Sequence, residues 1–412
     1  MRKFHQSGVS RRTFAAGLGA AGLVAGTAPF NIVRGQGAAL KVGVLLPRSG
    51  VLAGIGQDCQ RGVDVTAGLL KDIGMPSLQI MNGDTESDVQ IARAQAEKMI
   101  NEGAQLLVGA FDSGQSTAIA QVAEQRGIPY IINIAAAPPI TEQGYKFVFR
   151  NFPTSSRILI DAFENQKEIF EQTGKTPKTV ALMHVNDTFG VSMQKGMAAV
   201  LEKIPMPYKI VETISYDPKA RDLSVEVAKA KGTGAEALLV VSRLNDAILV
   251  TRELIKQRWN GMGVLSMSPG WYEDQYIKTL GKMADGPISF VPWYDPTKKL
   301  TKGLMDALAK AHPDVNLNTN QVYTFEVLLT AADAYKRAGS TDPKALADAI
   351  RATNITDNVS TGPGIMFNEK GQNDKLRNSA IQNRGGKLVT VAPKGATDAA
   401  VAWPAPPYDK RS

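Results

Sequence analysis

The chain has 412 residues, 43% of them apolar and 21% charged, a composition that excludes a disordered tail, a collagen-like repeat and a multi-span membrane protein and suits two or three domain-sized units. Its formal charge of +8 does not argue for nucleic acid: Arg2, Lys3, Arg11, Arg12 and Arg34 lie in an opening 38 residues without an acid, and the remaining 42 basic and 39 acidic residues leave only +3. No nucleic-acid partner is therefore expected. The single cysteine, Cys59, cannot form an internal disulfide, so cysteine usage does not identify the compartment.

The first element is an address. Ser10, Arg11, Arg12, Thr13 and Phe14 precede an uncharged run, Ala15–Phe30, rich in Ala and Gly, which resembles a twin-arginine export signal. Small residues at Gly35, Gly37, Ala38 and Ala39 offer a processing site, so 1–38 is read as a cleavable signal and the mature protein as free in the periplasm. Gly17, Gly19 and Gly22 match a dinucleotide fingerprint, but no strand precedes them and there is no room for a βαβ unit. The run is shorter and less apolar than a typical bilayer span.

Beyond residue 39, short β-branched runs alternate with longer segments of helical period, the pattern of parallel sheets with crossover helices. Strands are predicted at Leu40–Leu46, Leu78–Asn82, Gln105–Val108, Tyr130–Ile134, Thr179–His184, Lys209–Ser215, Ala237–Val241 and Gly263–Met267. Helices are predicted at Asp88–Asn101, Ser116–Arg126, Ser155–Gln172, Gly190–Lys203, Leu223–Lys231 and Asn245–Arg258, and again at Gln321–Lys336 and Pro343–Ala352. Three irregular stretches, Phe147–Ser156, Pro287–Pro296 and Ser360–Gly371, interrupt the rhythm and read as crossings between two lobes. The N-terminal lobe is then 39–153 with 291–361, the C-terminal lobe 154–290 with 362–403, and 404–412 a tail. The fold class expected is α/β, each lobe a parallel sheet flanked by helices, with three hinge crossings.

In such sheets ligands collect beyond the carboxyl ends of strands. Four loops qualify, each small, polar or Gly-rich: Pro47–Gly56, Gly109–Ser116, Ile134–Thr141 and Ser242–Asp246. His184 and His312, the only histidines of the mature chain, have no neighbours at metal-ligand spacing, and the chain carries no Cys/His cluster, Walker loop or nucleophile elbow. No metal or cofactor is expected.

The segments Lys41–Gly50, Gly109–Gly114, Ala135–Pro138 with Thr141, Gly144 and Tyr145, and His184–Gly190 together resemble the Leu/Ile/Val-binding family of periplasmic solute-binding proteins of ABC transporters. The resemblance covers about residues 40 to 395. It implies two lobes joined by hinge strands, a ligand held in the cleft, closure that presents the liganded form to an inner-membrane permease, and no enzymatic activity. In amino-acid-binding members the ligand carboxylate is held by a serine and backbone N–H groups after the third strand and by a small-residue loop after the fourth. Ser113 and Ala135, Ala136 and Ala137 match those places, and a hydroxyl with preorganised N–H donors holds a carboxylate without a full counter-charge.

The departures from that family set the ligand expectation. Ala136 stands where amino-acid binders carry threonine, Ile55 and Phe189 where they carry tyrosines, and Arg243 replaces the tyrosine of a second-lobe loop. The acid that would pair with an α-ammonium is expected within Ser266–Trp271, a stretch without one. An unpaired buried ammonium costs several kcal/mol. A carboxylate on an apolar or aromatic body suits Ile55, Phe111, Phe189 and Trp271, with Arg243 as a bidentate clamp. Arg243 also reads as an interlobe salt-bridge partner, Trp271 and Tyr272 as core fillers, and Asp112 as either an acceptor for a ligand hydroxyl or a helix cap. The expectation is a monomeric receptor for a small organic or aromatic acid, with a branched-chain amino acid or amide as the alternative ligand. A periplasmic sensor module and an enzyme on a doubly wound sheet are the competing readings.

Overall fold

A computed structural model of the protein describes residues 39–395 and 397–411. The proposed export signal lies outside the described residues.

The apolar run after Ala39 forms β1 (Leu40–Leu46), the buried centre of the first sheet. Its alternation decides its packing: Val42, Val44 and Leu46 enter one core and Leu45 the opposite one. There follow α1 (Ala53–Asp72), β2 (Leu78–Asp84), α2 (Val89–Asn101), β3 (Leu106–Gly109), α3 (Ser113–Arg126), β4 (Tyr130–Ile132) and β5 (Val148–Arg150). The five strands are parallel in the order β2-β1-β3-β4-β5. Helix α1 lies outside every helix predicted above, because Gly54, Gly56, Gly62 and Gly68 lower its intrinsic propensity. At Gly62 the glycine serves packing: a Cβ there would sit 2.6 Å from the Gln321 carbonyl oxygen of a helix packed against it.

The second series runs α4 (Ser155–Thr173), β6 (Thr179–Val185), α5 (Thr188–Lys203), β7 (Lys209–Tyr216), α6 (Ser224–Gly232), β8 (Ala237–Val241), α7 (Leu244–Lys256), β9 (Val264–Ser266), α8 (Asp274–Leu280) and β10 (Ile288–Pro292). Helices α9 (Lys299–Ala311), α10 (Thr319–Ala338) and α11 (Pro343–Arg351) follow, with α9 and α10 against α1 and α11 against α10. Two short strands, β11 (Asn354–Ile355) and β12 (Ile365–Met366), pair with each other, and β13 (Asn378–Arg384) and β14 (Lys387–Ala392) complete the second sheet. Its order is β14-β13-β10-β9-β8-β6-β7.

All three stretches read as irregular are partly strands: β5 inside Phe147–Ser156, β10 inside Pro287–Pro296 and β12 inside Ser360–Gly371. The second sheet is not wholly parallel either. β13 runs antiparallel to β10, and β14 to β13 through the two-residue turn at Gly385 and Gly386, whose φ values of 59° and 83° are those a tight hairpin demands. The tail packs down as well: Trp403, Ala405 and Tyr408 are buried, and the Ala405 N–H donates to the Met262 carbonyl at 2.8 Å.

The chain passes between the sheets three times, and the crossings lie side by side. Arg150 bridges to Gln372 in parallel and Tyr294 to Ser360 antiparallel. Glu326, on α10 and fully buried, gathers them. Its carboxylate accepts from Asn151 Nδ2 at 2.8 Å in the first crossing, and from the Val359 and Ser360 N–H groups at 2.8 and 2.7 Å in the third. Lys298, in the second crossing, donates from Nζ to Asn358 Oδ1, Ser360 O and Gly362 O at 2.6–2.8 Å.

Candidate functional site

Both sheets reverse direction beside their first strand, β1/β3 in one and β6/β8 in the other. Loops diverge at such switch points and leave a crevice at the strand ends. The loop after β3 and the start of α3 supply Phe111 and Ser113, the loop after β4 supplies Ala135 and Ala136, and the loop and helix that follow strands of the second sheet supply Arg243 and Phe189 to the same cavity. Phe152, Met267 and Tyr272 extend its wall, and Thr319 and Asn320 close it from the start of α10.

One end of this lining centres on Ser113. Ser113 opens α3, and its Oγ accepts from the Ala137 N–H at 3.4 Å. Asp112 caps the helix, Oδ1 accepting from the Gly114 and Gln115 N–H groups at 2.9 and 3.0 Å. Phe111 sits at φ 74°, a left-handed conformation that a bulky residue adopts only where its surroundings force it. Here the Phe111 N–H donates to Asn133 Oδ1 at 3.1 Å, and Asn133 in turn donates to Thr324 of α10.

The small-residue loop is held from behind by Arg150, which is fully buried. Its guanidinium donates to the Ala135 and Ala137 carbonyls at 2.9 and 2.7 Å, to Thr141 Oγ1 at 2.9 Å and to Gln372 Oε1 at 2.6 Å. No carboxylate pairs directly with it, and burial lowers its pKa to about 9 despite the Glu142 charge, which leaves it cationic at neutral pH. A fixed cation behind a loop raises the potential in front of it. Sequence reading treated Arg150 only as part of a crossing.

Arg243 departs from the bidentate clamp expected for it. One terminal nitrogen donates to Asp112 Oδ2 at 2.6 Å across the cleft and the other to Asp187 Oδ2. Each aspartate uses its second oxygen as a helix cap, Asp112 on α3 and Asp187 on α5. Burial works against the Arg243 charge, but Asp187 and Asp112 outweigh it and hold the guanidinium charged. The guanidinium also lies 5.3 Å from the Phe189 ring centroid. Its Nε, buried, has no hydrogen-bond partner.

Of the other expected residues, Ile55 is a core residue of α1, and Ala137, Asp112, Ile55 and Trp271 are not on the cavity wall. Trp271 donates from its indole to Ser242 Oγ at 2.6 Å and packs against Tyr276, while Tyr272 takes the wall position. Just beyond Ser266–Trp271 stands Glu273, 1% exposed, with the Gly270 backbone and the Asn320 side chain as its polar neighbours. Burial first, and then the Asp58 charge, push its pKa well above the carboxylate range. Among the described residues, no group of three or more His, Cys, Asp or Glu side chains could hold a metal ion, and no helix is long and apolar enough to cross a membrane.

Residues 39–381 match the model of a family described as periplasmic binding protein. A curated relative, Leu/Ile/Val-binding protein homolog 7 from Brucella suis, is 25% identical over 403 residues, covering 94% of this chain and 98% of the relative. Among solved structures, a leucine-binding protein from Thermotoga maritima superposes with a TM-score of 0.74 at 19% identity, over 86% of this chain and 98% of the other. An ABC-transporter solute-binding protein from R. palustris in complex with benzoate gives 0.73 at 18% identity, over 90% and 97%. At these identities the two structures speak to the fold.

Proposed function

The chain belongs to the periplasmic binding protein family, and from that premise we propose that it is the substrate-binding component of an ABC importer that carries a small organic or aromatic carboxylate to an inner-membrane permease. The observation that carries the ligand class is the cavity itself. Apolar and aromatic side chains surround one concentration of polar groups suited to a carboxylate: the Ser113 hydroxyl and the loop that Arg150 holds by its carbonyls. The benzoate complex of the R. palustris neighbour supports the same class.

A branched-chain amino acid is the second reading. The Leu/Ile/Val-binding relatives favour it, and Glu273 lies one residue from the wall residue Tyr272. An α-ammonium would need Glu273 ionised, and burial first and then the Asp58 charge raise the pKa of that carboxyl, so ionising it spends binding energy that an organic acid keeps. Calorimetric titration of the mature protein with 4-hydroxybenzoate, 4-hydroxycinnamate and leucine decides between them. Leucine binding far tighter than both aromatics would reverse the assignment.

Transport needs no chemistry, only a ligand that prefers the closed arrangement of two lobes. The lobes would divide at the three crossings, 39–153 with 291–361 against 154–290 with 362–403, and move about the Glu326 hub. A twin-arginine signal in 1–38 would export the folded monomer. The docking partner would be the permease, and the cargo would leave unaltered.

A further inference from the structure

We propose that Asn320 is a specificity residue that binds a second polar group on the ligand, so that the cargo is a bifunctional acid: a carboxylate at the Ser113 loop and a hydroxyl or carboxamide at the start of α10. The inference deepens the reading above and rests on this cavity being the ligand site.

Asn320 is fully buried and lines the cavity, and its amide makes no hydrogen bond of ordinary geometry, its polar neighbour being the buried Glu273 carboxyl. Incompletely met polar groups in a buried position are costly, and α10 does not require this one. The helix is already capped by Asn318, whose side chain accepts from the Asn320 N–H at 2.8 Å and which forms a capping box with Gln321. The neighbouring hydroxyl of Thr319 is spent on the Pro292 carbonyl at 2.6 Å. An amide carries two N–H donors and two acceptor lone pairs, more than one Glu273 carboxyl meets, so Asn320 keeps capacity that a phenol or a carboxamide matches. It stands on a different element from Ser113 and Arg243.

The test uses ligand pairs differing in one polar group: benzoate and 4-hydroxybenzoate, cinnamate and 4-hydroxycinnamate, phenylalanine and tyrosine, and the near-isosteric leucine and asparagine. Each is titrated against the wild-type protein and against Asn320→Leu, which keeps the side-chain volume. In the class that binds, the wild type prefers the polar member by about tenfold or more, since a site built around a hydrogen bond rejects the analogue lacking it. Asn320→Leu erases or inverts that preference, and its unliganded Tm is unchanged or raised. Members of a pair binding wild type within twofold of each other overturn the inference, whether or not the variant folds. So does a variant that weakens both members alike or lowers Tm, the mark of a structural residue. Amino-acid pairs binding in place of the acids refute the ligand class above while the preference within a pair still judges Asn320. Binding of none of the eight overturns both.

Discussion

Replacing Glu326 with Gln perturbs the point where the three crossings meet. One carboxylate oxygen accepts from the Val359 and Ser360 N–H groups, the other from Asn151 Nδ2 and from Ser360 Oγ at 2.9 Å. An amide keeps one acceptor and turns an NH₂ toward donors on the other side. If it faces Asn151, that side chain retains its Oδ1 contact with Asn373 and Ser360 Oγ can turn away. If it faces the two backbone N–H groups, neither can move without the chain. The gentler orientation leaves about one to two buried donors unmet at 1–3 kcal/mol each, with the charge-assisted bonds weakened besides. We expect a loss of about 2–4 kcal/mol for Glu326→Gln and about 3–5 kcal/mol for Glu326→Ala, in the range for breaking a buried charged network. Urea unfolding followed by circular dichroism and by tryptophan fluorescence measures it, with an unchanged m-value showing that the folded state is otherwise intact. A Gln variant within 0.5 kcal/mol of wild type would mean that the crossings are held by packing and that the hub is incidental.

Three further outcomes follow from the site. Ser113→Ala should weaken binding of the carboxylate ligand by about ten- to a hundredfold in calorimetry, the loss of one charge-assisted hydrogen bond, with only a small fall in unliganded Tm from the lost long contact to the Ala137 N–H; equal affinity would remove Ser113 from the site. Arg243→Met leaves Asp112 and Asp187 facing each other across the cleft, so small-angle scattering should show a more open unliganded molecule and affinity should fall about tenfold or more; unchanged scattering and affinity would deny the bridge any part in closure. Because the Glu273 pKa is raised in the folded state, the folded protein holds this proton more tightly than the unfolded chain, and stability falls as pH rises above the unfolded carboxyl value. Glu273→Gln should therefore gain on wild type as pH rises above about 5, by no more than about 1.4 kcal/mol per pH unit, and parallel stability curves would show that the folded protein holds this proton no more tightly than the unfolded chain.

Most of the α/β alternation was legible because each buried strand is a short β-branched run, and the predicted bounds of β1 and β8 coincide with those observed. Helix α1 was not, since its glycines serve contacts hundreds of residues away: Gly62 admits the backbone of Gln321. The β13–β14 hairpin did carry a signal, the Gly385–Gly386 pair between two runs of residues, which the search for βα units passed over. At the site, residues directly after strands were readable from the loop chemistry, as with Phe111, Ser113, Ala135 and Ala136. Arg150 and Asn320 were not, because their surroundings are made by the fold. Arg150 meets Gln372 across the crossings, and Asn320 reaches the cavity only because α10 returns to the first sheet. The capping pair Asn318 and Gln321 predicts where α10 starts but not what its second residue faces.

The most direct test of the receptor account is native mass spectrometry of the mature protein after prolonged incubation with 4-hydroxycinnamate. The account predicts one ligand bound per chain, released on activation at its original mass. A ligand of altered mass, or no complex at a concentration that saturates a comparable receptor, would contradict it.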